Sequence, residues 1–169
     1  MKNPLKIVAV IGLALGGVFG IAGTMVTHQN WRAICWGIDS VGVVVATCLL
    51  TLIFFRKGND WVAAGFLVYA IGEGVMLSGT AGSLESSVPS FAAGTALWSA
   101  SLLLTSIPKE FVIWTRLAGV LSAVLFAIVS ARILWGEQVL PISRELPFFA
   151  YPFLVLTFIG WIWSLLKTD

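Results

Sequence analysis

The sequence predicts an all-α bundle of six transmembrane helices, and three observations support this fold class. The chain of 169 residues is 59% hydrophobic and only 11% charged, whereas soluble domains carry about 25% charged residues. Its mean hydropathy is +0.98. Six apolar runs, each long enough to cross a bilayer as a helix, follow one another with short polar links. Within each run leucine, valine, alanine and glycine continue without the alternating polarity of a barrel strand.

The charged residues delimit the spans of a single membrane domain over residues 1–169. The predicted spans are 5–26, 33–55, 61–80, 91–107, 111–134 and 148–166. The first span follows two lysines as a secretion signal would, but it exceeds the apolar length of about 7–15 residues that such signals have, so we expect it to be retained. The links after the second and fourth spans are very short, which predicts antiparallel neighbours in space.

The placement of basic residues predicts the orientation of the bundle. One side carries Lys2, Lys6, Arg56, Lys57, Lys109 and Lys167. The other side carries Arg32, Arg132 and Arg144. Because basic residues are enriched on the cytoplasmic side, we expect both termini in the cytoplasm and the chain in the plasma (inner) membrane.

Three ionisable residues interrupt the apolar spans: Asp39, Glu73 and Arg116. An ionised carboxylate at the bilayer centre costs about 2.5–3.5 kcal/mol on insertion scales, so each needs a partner, water or a proton. The helical rise places Asp39 about 9 Å and Glu73 about 12 Å below the outer surface. Since they lie on consecutive spans at similar depth, we expect them to share a polar site in the outer half of the bundle.

The neighbours of the two carboxylates predict how that site is built. Tyr69 lies one turn from Glu73, where its hydroxyl is expected to donate to the carboxylate. Trp36 is expected to form an aromatic wall, and Arg132, near the outer end of its span, is the expected counter-ion. Arg116 lies close enough to the inner face for its side chain to reach the headgroups. The predicted polar lining extends to Ser78, Thr95 and Ser99.

Two interpretations of this polar site remain open. In the first, the carboxylates line an outward-facing cavity that binds or permeates a small solute, a cation or a proton. In the second, each carboxyl is satisfied inside the bundle and holds helices in register, as in a non-catalytic accessory or assembly subunit of a larger membrane complex.

A strip of small residues on the first span predicts close helix packing. Gly12, Gly16, Gly20 and Thr24 recur every four residues along one face. In lipid such strips allow the close van der Waals contact that brings helices together. The strip predicts packing within one bundle or, alternatively, contact with a second copy or a partner subunit.

Several classes of function are excluded or disfavoured by the residues present. His28 is the only histidine, so ligation of haem by paired histidines within one chain is excluded. Cys35 and Cys48 have neither a redox nor a zinc spacing. No phosphate-binding or hydrolase motif occurs, and a net charge of +2 without a basic patch does not indicate nucleic acid. We expect no enzyme, no metal and no cofactor, with membrane lipid as the general partner; lipid or quinone chemistry on Glu73 and Asp39 is the remaining enzymatic alternative.

Overall fold

The structure, a computed structural model, describes residues 4–80, 83–143 and 146–167 as six α-helices with short links. The helices are α1 (Pro4–Met25), α2 (Gln29–Arg56), α3 (Asp60–Gly79), α4 (Val88–Ser106), α5 (Ile113–Leu134) and α6 (Leu146–Lys167). All six are long and apolar enough to cross a membrane, and no strand occurs in these ranges. The predicted all-helical fold is therefore confirmed. The largest boundary difference is at α2, which begins at Gln29 and not at Ala33.

Local signals end the helices where the chain must reverse. Gly58 and Gly136 have φ values of 73° and 98°, a left-handed conformation that glycine adopts without strain. Directly after Gly58, the side chain of Asn59 accepts a hydrogen bond from the backbone N–H of Val62 at 3.3 Å and caps α3. This tight turn makes α2 and α3 antiparallel neighbours.

The six helices form a closed ring in chain order. Each helix packs against the next, and α6 returns to pack against α1. We call the end of the bundle where α1, α3 and α5 finish the distal end, and the opposite end, where α2, α4 and α6 finish, the terminal end. Each of the two ends therefore has its own set of links.

Aromatic side chains fill the bundle interior towards the terminal end. This aromatic core consists of Phe54, Phe66, Tyr69, Trp98, Phe111, Phe126, Phe158 and Trp161. Its rings stack or meet edge to face, as where Phe66 and Trp161 approach with centroids 4.8 Å apart. The interior near the distal end is packed less completely and contains a cavity.

The glycine strip of α1 packs against α2 within the same chain. A Cβ atom at Gly12 would overlap the carbonyl oxygen of Gly42, and one at Gly16 would overlap the side chain of Val43. Backbone therefore lies directly against backbone, as the strip predicts for packing inside one bundle. The predicted face is used internally at both positions.

The last position of the predicted strip is different. Thr24 is half-buried and its hydroxyl donates to the carbonyl of Ile21 at 2.7 Å, whereas Gly23 is buried against the indole of Trp36. At about 3.6 residues per turn, the twelfth residue after Gly12 has rotated about 120° off the face and the eleventh only about 20°. Gly23, and not Thr24, therefore makes the last close contact of α1 with α2.

Candidate functional site

A cavity of about 260 Å³ occupies the distal half of the bundle. Helices α1, α2, α3, α4 and α6, the link between α3 and α4, and Pro141 in the link between α5 and α6 contribute to its wall. The residues at its rim, Gln29, Asn30 and Ser83, are exposed, so the cavity opens at the distal end. Its deeper part is lined by Asp39, Ser40, Glu73, Met76, Trp98 and Tyr151.

Glu73 lies on α3 in the wall of this cavity. Its side chain is only 3% exposed, and the hydroxyl of Ser40 on α2 donates to its Oε1 atom at 2.6 Å. A hydroxyl is neutral, so this bond orients the carboxylate without supplying an opposite charge.

Asp39 precedes Ser40 and lines the same cavity. Its carboxylate lies against the glycine strip. A Cβ atom added at Gly20 would lie 2.9 Å from Oδ2 of Asp39, and one added at Gly16 would lie 3.1 Å from Oδ1 of Asp39. The two glycines therefore leave the space that the carboxylate occupies. The structure thus brings Asp39 and Glu73 into one site between α2 and α3.

A smaller cavity of about 30 Å³ lies between α1 and α6, on the side of the main cavity that faces the terminal end. It is lined by both carboxylates, Tyr69 and Trp98. Tyr69 and Trp98 stack with ring centroids 5.5 Å apart and an interplanar angle of 12°. The hydroxyl of Tyr69 is buried and makes no hydrogen bond within the described chain, whereas the buried indole N–H of Trp98 lies near the carboxylate of Glu73. The expected bond from Tyr69 to Glu73 is therefore absent, and Ser40 is the donor instead. Buried polar atoms are normally paired, and the hydroxyl of Tyr69 is one of the exceptions, with those of Ser101 and Thr115 elsewhere in the described bundle.

Trp36 is part of the cavity wall, as predicted. The guanidinium of Arg32 lies 5.9 Å from its ring centroid, within cation–π range. Arg32 also donates to the carbonyls of Val26, at 2.9 Å, and Thr27, at 3.3 Å, which follow the last turn of α1. Its charge is thus held at the rim, where it stabilises a helix C-terminus.

The structure places Arg132 in a different environment from the one expected. Its guanidinium forms an ion pair with Glu137 at 2.6 Å, and Arg132 does not line the cavity. It lies on α5, which contributes nothing to the cavity wall, and the turn at Gly136 brings Glu137 back towards it. Within the described ranges, no lysine or arginine forms an ion pair with Asp39 or Glu73.

The side chain of Arg116 binds backbone carbonyl groups at the end of α4. Its side chain donates to the carbonyls of Ser106 at 2.7 Å and Ile107 at 2.8 Å. Carbonyls at a helix C-terminus have no intrahelical partner and attract cations. Arg116 therefore caps α4 across the link to α5, where the sequence predicted contact with headgroups.

The hydroxyls expected to extend the polar lining do not reach the cavity. Ser78 and Thr95 donate to carbonyls of their own helices at 2.7 and 2.8 Å, a common arrangement in membrane helices. Ser99 is buried in α4 but does not line the cavity either. Sequence reasoning missed Ser40 and Tyr151; only the adjacency of Ser40 to Asp39 pointed to either of them.

Comparisons with protein-family models, with curated proteins and with solved structures give no match for this chain. The class is therefore defined by fold and site alone: a six-helix bundle of membrane-type helices with two carboxylates in an aromatic-lined cavity.

Proposed function

We propose that this chain is a small integral membrane protein that binds a small cationic solute, or a proton, at Asp39 and Glu73. The observation that carries the proposal is a pair of carboxylates in one cavity, with no ion pair to a described basic residue. An ionisable residue inside a membrane bundle marks a functional site by default, because its burial is costly. A bound cation offsets that cost.

The proposed topology places the distal end outside the cell. The terminal end carries Lys6, Arg56, Lys57, Lys109 and Lys167, so the positive-inside rule puts both termini in the cytoplasm of a plasma (inner) membrane protein. The cavity then opens to the outer side. Membrane lipid surrounds the exposed apolar side chains of all six helices.

Binding is favoured over an open channel by the aromatic core. Below the carboxylates, Tyr69 and Trp98 begin a packed set of rings that continues to Phe54 and Phe111 near the terminal end. Permeation of a solute therefore requires this core to rearrange.

The alternative function is a non-catalytic accessory subunit that docks through the small-residue strip of α1. The burial of Gly12 and Gly16 against α2 disfavours it, because a docking face must be available to the partner. Homo-oligomer formation through this strip is disfavoured for the same reason.

The proposal is tested by thermal unfolding of purified protein in detergent, against a panel of small cations at constant ionic strength. A ligand at 100 times its Kd stabilises the folded state by about 2.7 kcal/mol. We expect at least one cation to raise the midpoint of wild type and of Glu85→Gln, an exposed carboxylate outside the cavity. Glu73→Gln keeps an acceptor for Ser40 but removes the charge, and we expect it to abolish the shift. Equal shifts in the two variants would show that Glu73 does not bind the cation.

A further inference from the structure

We propose that the ligand of this site is an organic ammonium ion with a compact apolar body, and not an inorganic cation. This inference rests on the proposed function and names its substrate class. It is carried by the aromatic lining of the cavity, the absence of a metal-type ligand set in the described chain, the unpaired buried hydroxyl of Tyr69 and the volume.

The walls of the cavity offer aromatic rings on three helices: Trp36 on α2, Trp98 on α4 and Tyr151 on α6. Phe91 adds a fourth ring near the start of α4. Ring faces attract cations, and quaternary ammonium groups are recognised in proteins by cages of such rings. The rings also bury the alkyl groups of an organic cation, which an inorganic ion lacks.

The side chains of the site do not form the usual ligand set of a hard metal ion. The deeper part of the cavity offers two carboxylates, those of Asp39 and Glu73, and the hydroxyls of Ser40 and Tyr151. Calcium takes about six to eight oxygen ligands, and the described chain contains no group of three or more metal-type side chains. An ammonium group, in contrast, is satisfied by one or two carboxylates and aromatic faces.

An unpaired hydroxyl at the floor of the site points to a ligand with a polar group of its own. The hydroxyl belongs to Tyr69, whose side chain is fully buried and lines the smaller cavity together with both carboxylates. The tyrosine oxygen can accept from the N–H of a protonated amine or from a hydroxyl of the ligand, such as that of choline.

The volume sets the size of the ligand. Sites for drug-sized molecules have about 300–1,000 Å³, and the cavity here has about 260 Å³. A small amine or quaternary ammonium of few carbon atoms fits this space, whereas a proton or a bare ion leaves most of it unfilled.

The test compares choline chloride with its neutral isostere, in which a carbon replaces the nitrogen, and with potassium chloride at equal concentration. The probe is added to purified wild-type protein, and the shift in unfolding midpoint and the Kd are measured. We expect choline to bind and the isostere and potassium to have no effect. Because the comparison uses wild-type protein, it does not depend on any variant folding.

Two variants locate the bound probe. Trp36→Leu removes one aromatic wall and is expected to weaken choline binding about tenfold. Trp36→Phe retains a ring and is expected to bind within about threefold of wild type. Trp135→Leu, an 87% exposed residue outside the cavity, is the control and is expected to bind as wild type does.

The outcomes separate this inference from the proposed function. If potassium or sodium gives a shift that depends on Glu73 while choline gives none, the organic-ammonium inference is wrong and cation binding stands. Equal binding of choline and its neutral isostere likewise contradicts it. If no cation gives a shift that depends on Glu73, both proposals fail.

Discussion

The two glycines that flank Glu73 predict opposite responses to the same substitution. A Cβ atom at Gly72 would lie 2.9 Å from the Cβ of Leu97, 3.0 Å from Cδ1 of Trp98 and 3.3 Å from the carbonyl oxygen of Gly94. A Cβ atom at Gly74 would meet nothing within 4 Å. The first glycine thus lies at a close contact of α3 with α4, and the second faces open space.

The magnitude follows from two terms. Replacing a helical glycine by alanine stabilises by about 0.5–1 kcal/mol, because the unfolded chain loses freedom. At Gly72 the atoms in the way include backbone and a Cβ, which cannot swing aside, and overpacking costs about 1–3 kcal/mol. Since the first term is common to both sites, the difference between Gly72→Ala and Gly74→Ala isolates the packing term, about 1–3 kcal/mol.

Thermal unfolding of the two variants in the same detergent, followed by near-ultraviolet circular dichroism, measures this difference. At roughly 2–4 °C per kcal/mol for a chain of this size, Gly72→Ala should unfold roughly 2–12 °C below Gly74→Ala. Gly72→Ala should also displace Trp98 and weaken cation binding. If the two variants unfold at the same temperature, the close crossing of α3 and α4 beside Glu73 is refuted.

Two further predictions concern the capping arginine and the topology. Arg116→Gln loses charged hydrogen bonds to the carbonyls of Ser106 and Ile107. In denaturant titration it should therefore lower the free energy of unfolding by about 1–2 kcal/mol. An unchanged unfolding midpoint would contradict the role of Arg116 as a cap of α4. With the native cysteines replaced, a single cysteine at Gln138 should react in intact cells with a membrane-impermeant thiol reagent, and one at Lys109 only after permeabilisation. The reverse pattern contradicts the proposed orientation.

The number and type of helices could be predicted from the sequence because hydropathy and helix length are local properties. The shared depth of Asp39 and Glu73 followed from the rise of 1.5 Å per residue along two helices joined by a short turn. These features depend on a single helix or on two helices joined by a short link. They can therefore be predicted without knowing how the helices pack.

The rotation of each helix about its axis was harder to predict. Tyr69 has the right spacing to donate to Glu73, yet the bond comes from Ser40, because α2 turns that hydroxyl towards α3. Tyr151 reaches the cavity only because α6 closes the ring beside α1. Neither contact has a periodic signature within its own helix.

The roles of the arginines depended on links whose path the sequence does not specify. The sequence predicts that Arg116 reaches the headgroups, and the chain reversal after α4 in addition presents two backbone carbonyls to its side chain. Its depth along the helix predicts Arg132 beside the carboxylates, whereas the turn after α5 supplies Glu137 as an adjacent partner. Neither partner could be predicted without the path of the link that follows α4 or α5.

The central claim is that a carboxylate cavity, open at the distal end, attracts cations to Glu73. It is tested most directly by the reactivity of a cysteine at Met76, one turn from Glu73 in the cavity wall. In intact cells, the rate of modification of this cysteine is measured with two methanethiosulfonate reagents, one carrying a trimethylammonium group and one carrying a sulfonate group. Each rate is divided by the rate of the same reagent with a cysteine at exposed Gln138. The cavity has two carboxylates against one rim arginine, Arg32. Because a cleft with an excess of negative charge raises the local concentration of cations about tenfold or more, we expect the cationic reagent to be favoured to that extent, and Glu73→Gln to reduce the preference. An unreactive cysteine at Met76, or equal relative rates for the two reagents, would contradict the account.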